Sequence, residues 1–312
     1  MTTEAKVTNR MTDSDAAKST ASDEPWTVAR LLDWTTGFFK SRGSESPRLD
    51  AEVLLAHALE TERILMYTRF AEEPTEEQKT AFREMVRRRG GGAPVAQLVG
   101  HKEFYSMKFR VDESTLIPRP ETEELVIAVL DHLKTNAPSD RPPRVADIGT
   151  GSGCIALSIA KHSADAEVVA TDLSPAALKI AAYNADSHGL NDRVTFVESD
   201  LLAALNDPES FDVIVSNPPY VSEGEYAALD PSVRDHEPES ALVAGPDGTD
   251  VIRRIIDECV PRLSDGGLLV IEHSPMNSEA VRRIATDAGT LLDVQTHKDG
   301  SRQERYLTAR KA

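Results

Sequence analysis

The sequence predicts an α/β protein: a mostly parallel sheet with an antiparallel last strand, preceded by a small helical domain. Three observations carry that expectation. Between residues 144 and 273, short β-branched runs alternate with helix-like stretches, the pattern of successive βαβ units. Near the C-terminus, the strand-like runs Leu291–His297 and Arg305–Ala309 are joined only by the polar turn Lys298–Glu304. So short a connection permits only an antiparallel pair, because parallel neighbours need a crossover. Ahead of the sheet, apolar residues recur at helical spacing from about Trp26 to Arg89 (Val28, Leu31, Leu32; Val53, Leu54, Leu55, Ala58, Leu59; Phe82, Met85, Val86).

Each element follows in order. Residues 1–25 are rich in Thr, Ser, Asp and Ala, with almost no large apolar side chains, and read as a disordered tail. Residues 26–90 form the helical domain, with Pro25, Pro47 and Pro74 near helix starts, where a fixed φ and a missing N–H are tolerated. Gly90-Gly91-Gly92-Ala93-Pro94 breaks the pattern, and residues 91–120 read as a linker in which Ala96 to Val111 form a β-hairpin. Residues 121–312 form the sheet domain. It opens with a helix from Glu121 carrying Leu125, Val126, Val129 and Leu130. Strands are expected at Arg144–Ile148, Ala166–Thr171, Val194–Glu198, Phe211–Ser216 and Leu268–His273, and helices at Cys154–His162, Pro175–His188 and Val251–Leu263.

Composition narrows the function classes. The 312 residues carry 52 acidic and 35 basic side chains, a formal net charge of −17. No stretch approaches the roughly 20 apolar residues that cross a bilayer, and the N-terminus lacks the apolar region of a secretory signal. Cys154 and Cys259 are too few for a disulfide framework or a metal quartet. A cytoplasmic protein without structural metal or membrane attachment is expected. A pI near 4.9 argues against stable nucleic-acid binding, which calls for a strong basic face.

Asp147-Ile148-Gly149-Thr150-Gly151-Ser152-Gly153 lies between the first strand of the sheet and its helix. Glycines there let the backbone turn tightly and a ligand approach closely. The spacing departs from the dinucleotide fingerprint Gly-x-Gly-x-x-Gly, since Cys154 holds the third glycine's place, and it lacks the Lys-Ser/Thr of a phosphate loop. Asp172, 23 residues after Gly149, ends the second strand, where a carboxylate can accept from both hydroxyls of a ribose. A helix cap is its other reading, although Ser174-Pro175 already supplies a cap and first-turn proline. Asp200 ends the third strand and either contacts an adenine amino group or caps the turn at Leu201-Leu202. Gly149–Gly153, Asp172, Asp200 and Asn217 thus converge on the carboxyl edge of a parallel sheet, where ligands bind.

Ile214-Val215-Ser216-Asn217-Pro218-Pro219-Tyr220 is the most informative stretch. Two prolines directly after a buried strand end it, stiffen the loop and leave carbonyls without matching N–H donors. With the Asn217 side-chain carbonyl they can hold both hydrogens of a planar –NH2 group, while the Tyr220 ring packs on its face. A planar nitrogen is a poor nucleophile. Acceptors on both N–H bonds polarise it and stabilise the positive charge that develops as it attacks.

These residues resemble the class I S-adenosylmethionine-dependent methyltransferases, a Rossmann-like sheet, and more closely the PrmC/HemK family of peptide chain release factor N5-glutamine methyltransferases. The resemblance runs from Trp26 to the C-terminus. It includes Ser46-Pro47-Arg48-Leu49-Asp50-Ala51-Glu52, Arg87-Arg88-Arg89, Leu116-Ile117-Pro118-Arg119-Pro120-Glu121-Thr122-Glu123, the glycine loop, Asn217-Pro218-Pro219-Tyr220, and Glu237-Pro238 followed by Ala241-Leu242. It implies transfer of a methyl group from S-adenosylmethionine, leaving S-adenosylhomocysteine, to the side-chain nitrogen of the glutamine in the Gly-Gly-Gln motif of class I release factors. Gly149, Thr150, Gly151, Ser152 and Gly153 would line the methionine end of the cofactor and Asp172 would hold its ribose. Asp200, Leu201 and Asn217 would complete the cofactor site, Leu201 standing where the family often has an aromatic residue. Asn217, Pro218, Pro219 and Tyr220 would hold the target glutamine. The Arg119 loop would cover the site, unless Arg119 merely pairs with Glu121 or Glu123 on a surface loop. The helical domain would grip the release factor. Two other functions are open at this point: an amino-methyltransferase acting on adenine or guanine of DNA or rRNA, which shares the Asn-Pro-Pro-Tyr motif, and a binding module without turnover.

Overall fold

Thr27 starts the first helix: its hydroxyl accepts the Arg30 N–H at 3.3 Å and α1 runs Val28–Ser41. The computed structural model describes residues 24–205 and 210–312. The tail assigned to residues 1–25 lies outside them, save Glu24 and Pro25. The chain divides into two compact units between Arg83 and Glu84.

The first unit is helical, as expected. Pro47 occupies the first turn of α2 (Pro47–Ala58), followed by α3 (Arg63–Met66) and the start of α4 (Glu76–Gly90). Val28, Leu32 and Phe39 of α1 and Ala51, Leu54 and Leu55 of α2 are buried. The buried Glu52 carboxylate accepts from Arg48 Nε at 2.8 Å and from the Tyr67 hydroxyl, tying α2 to the turn after α3.

The second unit takes up the rest of α4 from Glu84 and continues with α5 (Val95–Val99), then the hairpin β1 (His101–Phe104) and β2 (Met107–Arg110). The expected hairpin from Ala96 is therefore shorter at its start. Pro94 supplies the N-cap and Gly100, at φ 74°, the left-handed stop of a one-turn helix. Phe104, Met107 and Phe109 are buried in the core of this unit.

Next come α6 (Glu123–Asn136), β3 (Arg144–Ile148), α7 (Cys154–His162), β4 (Glu167–Asp172), α8 (Pro175–His188), β5 (Val194–Glu198) and β6 (Phe211–Ser216). They are followed by α9 (Glu223–Tyr226), α10 (Pro231–Arg234), α11 (Asp250–Arg254), β7 (Leu263–Glu272), α12 (Ser278–Asp287), β8 (Leu291–Lys298) and β9 (Glu304–Lys311). The sheet order is β5-β4-β3-β6-β7-β9-β8. The first five strands are parallel, and β9 inserts between β7 and β8, antiparallel to both.

Both faces are covered, so the central strands are apolar on each side. Val145, Val213, Val215 and Val270 face a core with α6 and α7, whereas Ala146, Ile214, Leu269 and Ile271 face one with Ile252, Ile255, Val281 and Ala285. Two further elements differ from expectation. The single helix expected at Val251–Leu263 is α11, then one π turn at Ile255–Cys259 and a 3₁₀ turn at Val260–Arg262; Pro261 has no N–H with which to continue an α-helix. Strand β7 begins at Leu263 rather than Leu268, with a register shift against β6 that accommodates Gly266-Gly267.

Candidate active site

Register sets the site. Ile148 pairs with Thr171 of β4 and with Ser216 of β6, and Ser216 pairs with Ile271 of β7. The residues that follow, Gly149, Asp172, Asn217 and Glu272, therefore stand level at one edge of the sheet. Chain order reverses between β3 and β6, which makes this edge a topological switch point.

A cavity of about 490 Å³ opens there. Of the residues singled out from sequence, Gly149, Thr150, Gly151, Ser152, Asp172, Asp200, Leu201, Asn217, Pro218 and Pro219 line it. Gly153, Tyr220 and Arg119 are not in its lining. Gly153 instead allows α7 and α8 to pack closely, since a Cβ there would lie 3.1 Å from Leu157 and 3.2 Å from the Ala181 Cβ, at φ 81°.

The glycine loop is stapled from below. Asp147 Oδ2 accepts from the Thr150 hydroxyl at 2.6 Å and from the Ala156 N–H at 3.1 Å, while Oδ1 has no partner. Burial pushes the Asp147 carboxyl up to about 7. Asp172 Oδ2 accepts the Gly151 N–H and Oδ1 the Ser174 N–H, each at 2.8 Å. Ser174 itself caps α8. Asp172 thus shapes the loop while its carboxylate lines the cavity. The buried Ser152 hydroxyl is unpartnered.

Asp200 is gripped by Arg254, whose Nη1 and Nη2 donate to its two carboxylate oxygens at 3.0 Å each. The pair sits on the cavity wall with Leu201 beside it, buried and at φ 52°.

Asn217 is held by one end of its amide. Its Nδ2 donates to Thr122 Oγ1 at 3.1 Å, and the buried Oδ1 has no partner. The Thr122 hydroxyl donates to Glu272 Oε2 at 2.7 Å, and the Tyr220 hydroxyl to Glu272 Oε1 at 3.1 Å. Glu272 is 1% exposed, and burial raises its carboxyl to about 7. The Asn-Pro-Pro-Tyr loop is braced from behind by Gly248, where a Cβ would fall 2.4 Å from the Tyr220 carbonyl.

Arg119 meets neither Glu121 nor Glu123. It donates to Glu237 Oε1 at 2.5 Å, and Glu237 Oε2 accepts the Ile117 N–H at 3.0 Å. This pins the segment whose residues Glu113–Leu116 and Pro118 line the cavity.

Sequence pattern alone assigned no role to Asp147, Thr122, Glu272 or Arg254. Glu272 carries the same signal as Asp172 and Asp200, an acidic residue ending an apolar run. Thr122 and Arg254 carry no local signal, because their partners lie 95 and 54 residues away.

Residues 30–100 match the PrmC N-terminal domain and residues 126–231 the methyltransferase small domain. The chain is 54% identical over 294 residues to a release factor glutamine methyltransferase of Rhodopirellula baltica, covering 94% of this chain and 99% of that one. It is 38% identical over 292 residues to the protein of that name in Chlorobaculum tepidum, covering 92% and 98%. Among solved structures, the hMettl16 catalytic domain in complex with a MAT2A 3′UTR hairpin shares the fold, with TM-score 0.54 and 16% identity over 73% of this chain and 82% of that one. Near-full-length identity of this order leaves one conclusion: the chain belongs to the release factor glutamine methyltransferase family.

Proposed function

We propose that this protein methylates the side-chain amide nitrogen of the glutamine in the Gly-Gly-Gln motif of class I peptide chain release factors, in the cytoplasm, with S-adenosylmethionine as donor. The observation that carries the reading is the Asn217 amide, anchored through Nδ2 and presenting a buried, unpartnered Oδ1 at a strand end. A buried acceptor without a partner costs free energy unless a ligand donor meets it.

The residues present suit the donor. A cavity of about 490 Å³ falls within the usual range for a small-molecule site. The Asp172 carboxylate suits ribose hydroxyls, the unpartnered Ser152 hydroxyl and the glycine loop suit the amino-acid end, and Asp200 suits an adenine amino group. When bound, S-adenosylmethionine supplies a methyl group on a sulfonium sulfur.

The chain's own part is positioning and polarisation. Asn217 Oδ1 accepts one amide hydrogen of the glutamine and the Pro218 carbonyl the other. Tyr220, outside the cavity lining, is fixed through its hydroxyl to Glu272 and holds the end of the loop that carries these acceptors. Held this way, the glutamine nitrogen would be fixed in orientation, with its lone pair left free for the donor's methyl group. As the N–C bond forms and the S–C bond of the donor breaks, releasing S-adenosylhomocysteine, the two acceptors would stabilise the positive charge developing on nitrogen. The nitrogen ends with a methyl group in place of one hydrogen, which leaves as a proton. We assign the helical residues 26–90 to the body of the release factor. Their exposed apolar side chains, Trp34 at 54%, Ile64 at 72% and Leu65 at 51%, are the kind a protein partner covers.

Mass spectrometry of a class I release factor incubated with this protein and S-adenosylmethionine tests the reading. A gain of about 14 Da on the glutamine of the Gly-Gly-Gln motif is expected. An unmodified factor, with label transferred instead to rRNA or DNA, would overturn the substrate.

A further inference from the structure

Asn217 can serve as an acceptor only if its amide is turned the right way, and nothing in the side chain itself decides that. An amide reversed about its last bond fills the same space but presents two N–H donors, which would oppose a substrate –NH2 group. The deciding contact is Thr122 Oγ1, 3.1 Å from Nδ2. A hydroxyl has one hydrogen. Thr122 gives its hydrogen to Glu272 Oε2 at 2.7 Å, so what faces Asn217 is a lone pair, which only Nδ2 can satisfy.

We infer that Glu272, acting through the Thr122 hydroxyl, is a positioning residue that sets the polarity of the Asn217 amide and so makes Oδ1 the atom offered to the substrate. The ionised carboxylate accepts from Thr122 and from Tyr220 at once, so the same anion fixes the Asn217 amide, through Thr122, and the end of the loop that carries it. A proton on Oε2 reverses the order: Glu272 then donates to Thr122, Thr122 donates onward, and Asn217 turns its oxygen away from the cavity. This device rests on the proposed function for its purpose, but its geometry is independent of which amino group is methylated.

The charged and titratable groups around Glu272 come from several elements. Arg305 on β9 favours the anion, and Glu121 in the turn before α6 disfavours it. Tyr220 donates to it, Cys154 on α7 feels its charge, and His273 follows it in the chain with its own protonation suppressed by burial. Arg305 also pairs with Asp299 at 3.1 Å, so its charge on Glu272 is shared. Burial leaves the carboxyl near 7, close enough to neutrality for the relay to titrate under working conditions.

Two measurements on the full chain test this, one of them independent of turnover. In protein labelled with ¹⁵N-asparagine, the Asn217 side-chain amide, identified by its loss in Asn217→Ala, should shift with pH through a single transition near 7. The transition should vanish in Glu272→Gln and in the isosteric Thr122→Val. An Asn217 amide that does not titrate in the wild-type protein, or that titrates unchanged in Thr122→Val, overturns the relay whatever the substrate proves to be. In the methylation assay, Thr122→Val should lose about 10- to 100-fold in kcat with little change in cofactor affinity, and Thr122→Ser should recover most of it. The wild-type kcat should rise with pH through the same transition, and the residual rate of Thr122→Val should be flat. Thr122→Val turnover within threefold of an active wild type, or a Ser variant no better than Val, also refutes it. A wild type that leaves the release factor unmodified counts against the proposed function alone, because the amide titration is read without substrate.

Discussion

Arg119 and Glu237 stand 118 residues apart in the chain and meet at 2.5 Å, the Glu237 side chain 1% exposed and that of Arg119 32%. The second Glu237 oxygen accepts the Ile117 N–H, so one carboxylate clamps both ends of Ile117-Pro118-Arg119 beside the cavity. Truncating Arg119 leaves a buried anion without its counter-charge. The cost in full burial is about 3–5 kcal/mol, and water around the exposed part of Arg119 reduces it to about 1–3 kcal/mol. Arg119→Ala should therefore lower the denaturation midpoint and weaken S-adenosylhomocysteine binding by up to about tenfold, while Arg119→Lys recovers part of both. Calorimetric binding that is unchanged in Arg119→Ala would mean that the clamp does not shape the cavity.

Asp200 is already engaged in a bidentate pair with Arg254, yet it lines the cavity. Each carboxylate oxygen has a second lone pair, and the guanidinium fixes the plane in which it points. If the free lone pair receives the adenine amino group, the wild-type protein should prefer S-adenosylhomocysteine over its hypoxanthine analogue by about tenfold, and Asp200→Ala should erase that preference. Both partners are about half exposed, so losing the pair should cost less than about 1 kcal/mol of stability. An unaltered preference in Asp200→Ala would leave Asp200 as a turn-stabilising residue alone.

Asn217→Ala removes the acceptor without disturbing the glycine loop. We expect kcat to fall about 10²- to 10³-fold, the scale seen when one fixed dipole is deleted from a site of developing charge. Cofactor affinity should change by less than about threefold. A larger effect on cofactor binding than on kcat would place Asn217 in the cofactor site and not with the substrate.

Much of this site was legible because parallel strands end together. An acidic or amide residue closing each β-branched run, at Asp172, Asp200 and Asn217, sufficed to predict that these residues meet. What could not be read was anything decided by packing across the chain. Thr122 lies in a stretch recognisable from the family, but its hydroxyl acquires a purpose only beside Asn217 and Glu272, 95 and 150 residues away. Arg119 offered two local carboxylates as partners and took a distant one. The helix before β7 also escaped a local reading. Its apolar spacing fits a continuous α-helix, and the widened turn at Ile255–Cys259 arises where Pro261 and the start of the strand impose another course.

Two buried carboxyls predict how stability responds to pH. Burial raises both Glu272 and Asp147 to about 7, far above an ordinary carboxyl. A group whose folded-state value is raised binds its proton more tightly in the folded chain. Its contribution to stability is complete below about pH 4 and is lost as pH rises through about 7. In urea denaturation the wild-type midpoint should fall between pH 5 and pH 8 more steeply than that of Glu272→Gln, which has no proton to lose. Equal slopes would show that Glu272 is not raised in the folded protein. The direction matters for the site as well. The ionised form that orients Thr122 and Tyr220 is the costlier one to bury, so Glu272 is retained at the expense of stability over the pH range where its hydrogen bonds hold the acceptor in place.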